Sequence, residues 1–198
     1  MNDFEQSPAD MAQKRPQYRL KKSVVLVGMM GAGKTAVGRA LSEKLGVSFL
    51  DSDHEIETAA NLTVPEIFER DGEPFFRKRE TEVIARLLEE EPGILSTGGG
   101  AFLSEQNREN ISAKGVSVWL DADIDLIWNR VRYKNTRPLL RTNNPRQTLE
   151  KLFNTRVPVY KLANLSTTSA PNLSIDKMAN RVIDTLLSRP DVLEIINA

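Results

Sequence analysis

The sequence predicts a single α/β domain, a five-stranded parallel sheet flanked by helices. Two observations carry that expectation. Short β-branched runs alternate with helical stretches along most of the chain, and a glycine-rich loop joins the first run to the first helix. A length of 198 residues gives chain enough for one sizeable core and too little for two full domains.

The elements follow in order. Residues 1–21 are polar, carry two prolines and lack sustained periodicity, so a disordered arm is expected before a domain spanning 22–198. Ser23-Val24-Val25-Leu26-Val27 is apolar and stops at a glycine, as a buried parallel strand does. Ala36, Val37, Ala40, Leu41 and Leu45 keep helical spacing, and Gly46 ends that helix before a second strand at Val47-Ser48-Phe49-Leu50. Thr63-Val64-Pro65-Glu66 offers a capping box, and helical text fills most of 64–90 until Pro92-Gly93 breaks it. Three more strands are expected at Ile94-Leu95-Ser96-Thr97, Val116-Ser117-Val118-Trp119-Leu120 and Leu162-Ala163-Asn164-Leu165-Ser166. Residues 133–146 (YKNTRPLLRTNNPR) are polar, basic and irregular between two helical segments, which suits a mobile lid. A parallel sheet of this kind presents its ligands at the carboxyl ends of its strands.

Composition narrows the function classes. The 27 Lys plus Arg balance 27 Asp plus Glu, so no global positive field draws the chain to nucleic acid or an anionic membrane. The absence of cysteine rules out disulfides, thiolate metal sites and thiol catalysis. No stretch approaches the roughly 18 apolar residues of a membrane span, and the N-terminus lacks a secretory signal's apolar run. A cytoplasmic protein acting as a monomer on small molecules is expected.

Gly28-Met29-Met30-Gly31-Ala32-Gly33-Lys34-Thr35 satisfies the phosphate-loop pattern in its required strand-to-helix setting. Backbone N–H groups wrap a phosphate only where side chains stay clear, and the helix N-terminus adds partial positive charge. The residues expected around the nucleotide are Gly31, Ala32, Gly33, Lys34, Thr35 and Ala36. Lys34, read as an exposed loop lysine, bridges the β- and γ-phosphates of ATP, and the Thr35 hydroxyl ligates Mg²⁺. The alternative is a glycine-rich connector, and the loop alone does not separate kinases from GTPases and motor ATPases.

Two acidic pairs lie near strand ends. Asp51-Ser52-Asp53 follows the second strand, and in an extended segment both carboxylates point to one side, toward the phosphate loop. One then serves the metal and the other an acceptor hydroxyl; the alternative is a solvated acidic turn. Asp121-Ala122-Asp123 follows the fourth strand, and Asp123 is better explained as a helix N-cap. His54 is set aside as a base, because phosphoryl transfer depends chiefly on positioning and charge neutralisation.

Together these segments resemble the shikimate kinase family: the phosphate loop, Asp51-Ser52-Asp53, the run from Gly72 to Glu80 (GEPFFRKRE), Thr97-Gly98-Gly99-Gly100, Arg137-Pro138-Leu139-Leu140 and Arg156-Val157-Pro158-Val159-Tyr160. The resemblance runs from about Lys22 to Ser188. It implies an adenylate-kinase-like fold with a substrate-binding helical segment near 54–90 and a lid near 133–146. It also implies transfer of the ATP γ-phosphoryl group to shikimate. Asp53 then meets the shikimate hydroxyls and accepts the reacting proton, and Asp51 holds Mg²⁺ through water. Arg77 and Arg156 grip the carboxylate, for which a guanidinium fork is suited. Without the resemblance, Arg77 among Glu73, Lys78, Arg79 and Glu80 reads as a surface ion pair. Gly98, Gly99 and Gly100 offer backbone N–H groups to the acceptor, the alternative being a plain loop. Arg137 closes over the transferring phosphoryl group, and Arg130 lies near adenine, although Arg130 and Arg132 both end one helix and either complements its dipole. A gluconate kinase of the same fold and a non-catalytic ATP-binding switch are the competing readings.

Overall fold

In a computed structural model, which describes residues 17–133 and 138–197, the chain opens with β1 (Gln17–Leu20) and β2 (Ser23–Val27). All five residues of β2 are buried, as the apolar run requires of a central parallel strand. The phosphate loop leads into α1 (Lys34–Leu45), which Gly46 ends in the left-handed conformation at φ 67°. Then come β3 (Phe49–Asp51), α2 (Ser52–Ala60), α3 (Val64–Asp71) and α4 (Glu73–Leu87). The Thr63–Glu66 capping box forms as expected, and Gly72, at φ 85°, separates two helices where the sequence suggested nearly continuous helical text. The second half holds β4 (Ile94–Ser96), α5 (Glu105–Lys114), β5 (Gly115–Asp121), α6 (Ile124–Val131), α7 (Pro145–Tyr160), β6 (Leu165–Thr168), α8 (Ile175–Leu187) and β7 (Leu193–Asn197).

Five strands form one parallel sheet in the order β3-β4-β2-β5-β6. Val24, Val25 and Leu26 of β2 face Ile94, Leu95 and Ser96 of β4 on one side and Val116, Ser117 and Val118 of β5 on the other. The chain order reverses across β2, so a crevice opens at its carboxyl end, where the phosphate loop starts. The last core strand lies later than expected, because α7 runs to Tyr160 and its closing turn takes up residues 161–163, with Leu162 and Ala163 N–H bonded to the Val159 and Tyr160 carbonyls. A second, smaller core of Ile56, Ile67 and Phe76 knits α2, α3 and α4 together apart from the main one. Within the expected lid, Pro138–Leu140 forms a 3-10 turn and α7 begins at Pro145; residues 134–137, and Arg137 with them, lie outside the described residues.

The expectation of a disordered arm through residue 21 needs correction at its end, the earlier part lying outside the described residues. Gln17–Leu20 pairs antiparallel with β7, a strand the sequence reading did not anticipate. Tyr18 and Leu20 turn inward against the main core, while Arg19 and Lys21 pair with Glu194 at 3.1 and 2.5 Å. Deleting residues 1–20 should therefore lower stability by about 1 to 3 kcal/mol, chiefly through lost apolar burial, and the melting temperature by about 2 to 4 °C for each of those kilocalories. Thermal unfolding of the truncated chain checks this, and an unchanged melting temperature would deny the strand pair any structural weight.

Candidate active site

Three glycines shape the loop after β2. Gly28, Gly31 and Gly33 have φ of 139°, 79° and 98°, which side chains rarely tolerate, and a Cβ on Gly31 would lie 2.6 Å from Val131 Cγ1. Lys34 is buried rather than exposed. Its ammonium turns back to donate to the Gly28 and Met29 carbonyls at 2.8 and 3.0 Å, so it braces the loop from which it was expected to reach the phosphates. Thr35 Oγ1 donates to Asp51 Oδ2 at 3.0 Å and lies 3.4 Å from Ser96 Oγ.

The paired aspartates reach the site by a different route from the one expected. Helix α2 starts at Ser52, so Asp51 is its N-cap, accepting from the N–H groups of Asp53 and His54, and Asp53 lies in the first helical turn. The extended-strand argument fails because capping ends the strand at Asp51. Both carboxylates still line one cavity. His54 is exposed and lines neither cavity described here. Asp123 caps α6 by accepting from Asp125 N–H at 2.7 Å, as its position suggested.

Two cavities meet above the sheet. The larger, of about 590 Å³, is lined by the phosphate loop from Met30 to Ala36, by Asp51 and Arg130, and by Ser169, Leu173, Ile175 and Met178. Arg130 Nη1 donates to the Gly31 and Ala32 carbonyls at 3.1 and 3.2 Å, whereas Arg132 stacks on exposed Tyr133 away from this cavity. The smaller, of about 200 Å³, is lined by α2, α3 and α4 through Glu57, Phe68, Phe76, Arg77 and Glu80, by Gly98–Gly100, and by Leu139 and Arg156. Met30, Asp53, Gly98 and Gly99 belong to both. The glycines are required by space: a Cβ on Gly98 would lie 2.7 Å from Asp53 Oδ1, and one on Gly100 would lie 2.4 Å from Arg77 Nη2. Arg77 does form ion pairs, with Glu73 at 3.0 Å and Glu80 at 2.8 Å, yet Glu80 is fully buried and the pair forms a cavity wall. Arg156 is buried too, and among the described residues no carboxylate lies within ion-pair distance of it. Among the described residues no group of three or more acidic or His side chains could hold a metal unaided. Thr35 and Asp51 suit Mg²⁺, which needs one or two protein oxygens beside phosphates and water.

A family model described as shikimate kinase matches residues 30–187. The chain belongs to the shikimate kinase family. A shikimate kinase from Ruegeria pomeroyi is 65% identical over 176 residues, covering 89% of this chain and 90% of the relative. One from Cereibacter sphaeroides is 62% identical, covering 89% and 88%. A solved shikimate kinase from Acinetobacter baumannii in complex with shikimate is 41% identical with a TM-score of 0.78, covering 84% of this chain and 93% of that one.

The shikimate kinase resemblance drew attention to charged motifs, and several lining residues escaped it. Ser169, Leu173, Ile175 and Met178 follow the last core strand, and the rule that ligands gather at strand ends could have flagged them. Glu80, within the run from Gly72 to Glu80, carried no expected role. Its Oε2 accepts from Arg77, while Oε1 is buried without a hydrogen-bond partner among the described residues, as is Asp53 Oδ1. Burial pushes the Asp53 carboxyl up to about 6, aided by Asp51 and opposed by Lys34, and pushes Glu80 up to about 7 against the pull of Arg77.

A raised carboxyl favours the folded state below its unfolded value and loses that contribution as pH climbs through the folded value. For Glu80 the loss runs from about pH 4.5 to about pH 7. Glu80→Gln should therefore flatten the decline in thermal stability of the ligand-free protein across that window, gaining about 1 to 3 kcal/mol over the parent above it. Melting curves over a pH series read this directly, and parallel curves for parent and variant would contradict it.

Proposed function

We propose that the chain transfers the γ-phosphoryl group of ATP to the 3-hydroxyl of shikimate, a step toward chorismate and the aromatic amino acids. The observation that carries this reading is the pair of cavities meeting at Asp53, one walled by the phosphate loop and the other by two guanidinium groups. A buried arginine without a carboxylate partner among the described residues favours an anionic acceptor, because an uncompensated internal charge is costly. Neutral sugars offer no such compensation.

The roles of the side chains follow from their surroundings. Gly31, Ala32 and Gly33 present N–H groups to the donor phosphates, and the Lys34 ammonium exchanges its loop carbonyls for phosphate oxygens. Thr35 directly and Asp51 through water hold Mg²⁺, which when bound neutralises charge on the phosphates. Arg130, anchored on the phosphate loop, lies beside the base. Arg77 and Arg156 orient the carboxylate, and Gly98–Gly100 meet the acceptor with backbone. That leaves the reacting hydroxyl at Asp53, whose raised carboxyl value suits it to receive a proton as the phosphoryl bond forms. The same reading assigns Arg137 to the phosphoryl group from a lid over 133–146, and Leu139, beside the acceptor cavity, agrees with it. A monomer working in the cytoplasm completes the proposal. No helix among the described residues is long and apolar enough to cross a membrane.

ADP release should depend on shikimate and Mg²⁺ and should not be supported by gluconate; ATP turnover with gluconate alone would transfer the reading to that acceptor, and no turnover with either would revive a nucleotide switch. Lys34→Ala should abolish most turnover with a modest loss of stability, since two loop hydrogen bonds disappear. Asp53→Asn should cut kcat by about a hundredfold or more while leaving the fold intact, since the amide keeps the shape of the carboxyl and loses the oxygen that receives the proton. Unchanged kinetics in either variant would remove that residue from the site.

A further inference from the structure

The Gly98 carbonyl accepts from Ala101 N–H at 3.2 Å, so Gly98–Ala101 is a β-turn with Gly99 and Gly100 at its centre. Gly100 has φ −98° and ψ −14°, the third-position conformation of a type I turn. A type II turn differs by a half-rotation of the central peptide and needs positive φ at that position, which glycine adopts readily. Two glycines therefore leave the Gly99–Gly100 peptide free to face either way. One interaction selects the observed state: the Tyr160 hydroxyl donates to the Gly99 carbonyl. Tyr160 is fully buried, stacks with Trp119 at 6.3 Å between ring centroids, and stands one helical turn after Arg156 on the same face of α7.

We propose that Tyr160 is a positioning residue that locks the Gly99–Gly100 peptide in one orientation, so that Gly100 N–H rather than Gly99 C=O faces the acceptor. In a trans peptide the two groups point in opposite directions. With the carbonyl held toward the core, the N–H points away from it, toward the cavity that Gly100 lines. Among the described residues, no backbone carbonyl accepts from this N–H. The flipped peptide would instead turn a carbonyl oxygen toward an anionic ligand. Burial raises the Tyr160 hydroxyl to about 12 against the charge and the hydrogen bond of Arg156, so the hydroxyl keeps its proton for Gly99 while its oxygen also accepts from Arg156. The next turn is anchored separately: Asn107 donates to the Ala101 carbonyl at 2.8 Å, and Arg108 to those of Phe102 and Leu103, each at 2.9 Å. Loss of the hydroxyl thus releases one peptide and not the whole loop.

This inference rests on the proposed acceptor site, and the test separates the two. Tyr160→Phe keeps the ring and its stacking. If the competent orientation becomes only fractionally populated, apparent affinity falls by that fraction while the bound complex reacts normally. The shikimate KM should therefore rise about threefold to tenfold, with kcat and the ATP KM within about twofold of the parent. A merely structural role predicts lower thermal stability with no such split, as expected of the distant core variant Ile111→Val. Because Tyr160 also meets Arg156, the rise in shikimate KM should persist when Tyr160→Phe is added to Arg156→Ala; its disappearance there would overturn the lock. An unchanged shikimate KM, or equal losses in both KM values, overturns the lock and leaves the acceptor site standing. A parent enzyme inactive with shikimate removes the site and the lock together. Should Tyr160→Phe fail to fold, para-aminophenylalanine installed at this position keeps the ring and a neutral donor toward the Gly99 carbonyl. The shikimate KM should then stay within about twofold of the parent, and a rise of about tenfold with an unchanged ATP KM overturns the proposal.

Discussion

Arg156 carries a permanent positive charge, is buried, and has no carboxylate within ion-pair distance among the described residues. A guanidinium in that position is costly unless something anionic completes it. Much of the smaller cavity can be understood as the frame around that charge. Helix α7 brings Arg156 in beside the glycine turn, and α4 brings Arg77 to the opposite wall, where Glu73 and Glu80 hold its guanidinium in place. Burial alone would weaken the Arg77 charge, and its two carboxylate partners more than offset that. The two arginines thus differ in kind: Arg77 is held by two carboxylates, whereas Arg156 meets the neutral Tyr160 hydroxyl and no carboxylate among the described residues.

The acidic side of the site obeys the same constraint with opposite sign. Asp53 and Glu80 approach each other across Gly98, and each has one buried oxygen without a partner among the described residues. Desolvation raises both carboxyls, Asp53 to about 6 and Glu80 to about 7. Asp51, two residues before Asp53, is in a different position: it caps α2, accepts from Thr35 and lines the larger cavity. One helix start therefore places two carboxylates in two environments, and the distinction comes from burial and capping rather than from residue type.

Much of this was legible in the sequence because its causes are local. Gly28, Gly31 and Gly33 are required by backbone conformation, Thr63 and Glu66 by capping, and the strand at Ser23–Val27 by burial on both faces. What escaped depends on contacts distant in sequence. Nothing in Gln17–Leu20 announces that it pairs with Leu193–Asn197, because a four-residue strand with alternating exposure has meaning only beside its partner. Lys34 gave no sign of folding back onto the loop carbonyls, and Glu80 resembled any helical glutamate until its exposure fell to 0%. Arg77 shows why local reading was divided: the ion pairs expected from i, i+3 and i, i+4 spacing do form, and they form inside the cavity.

Recognition of the acceptor turns on whether Arg156 meets a carboxylate. Titration calorimetry of shikimate and its neutral carboxamide, each against the parent protein and Arg156→Ala, measures that contact directly as a double-substitution cycle. The account predicts a coupling of about 1.5 to 3 kcal/mol, with the carboxamide binding weakly to the parent and losing little more in the variant. Independent, additive losses would mean that the arginine and the carboxylate do not meet, and the acceptor would then have to be recognised by some other part of the site.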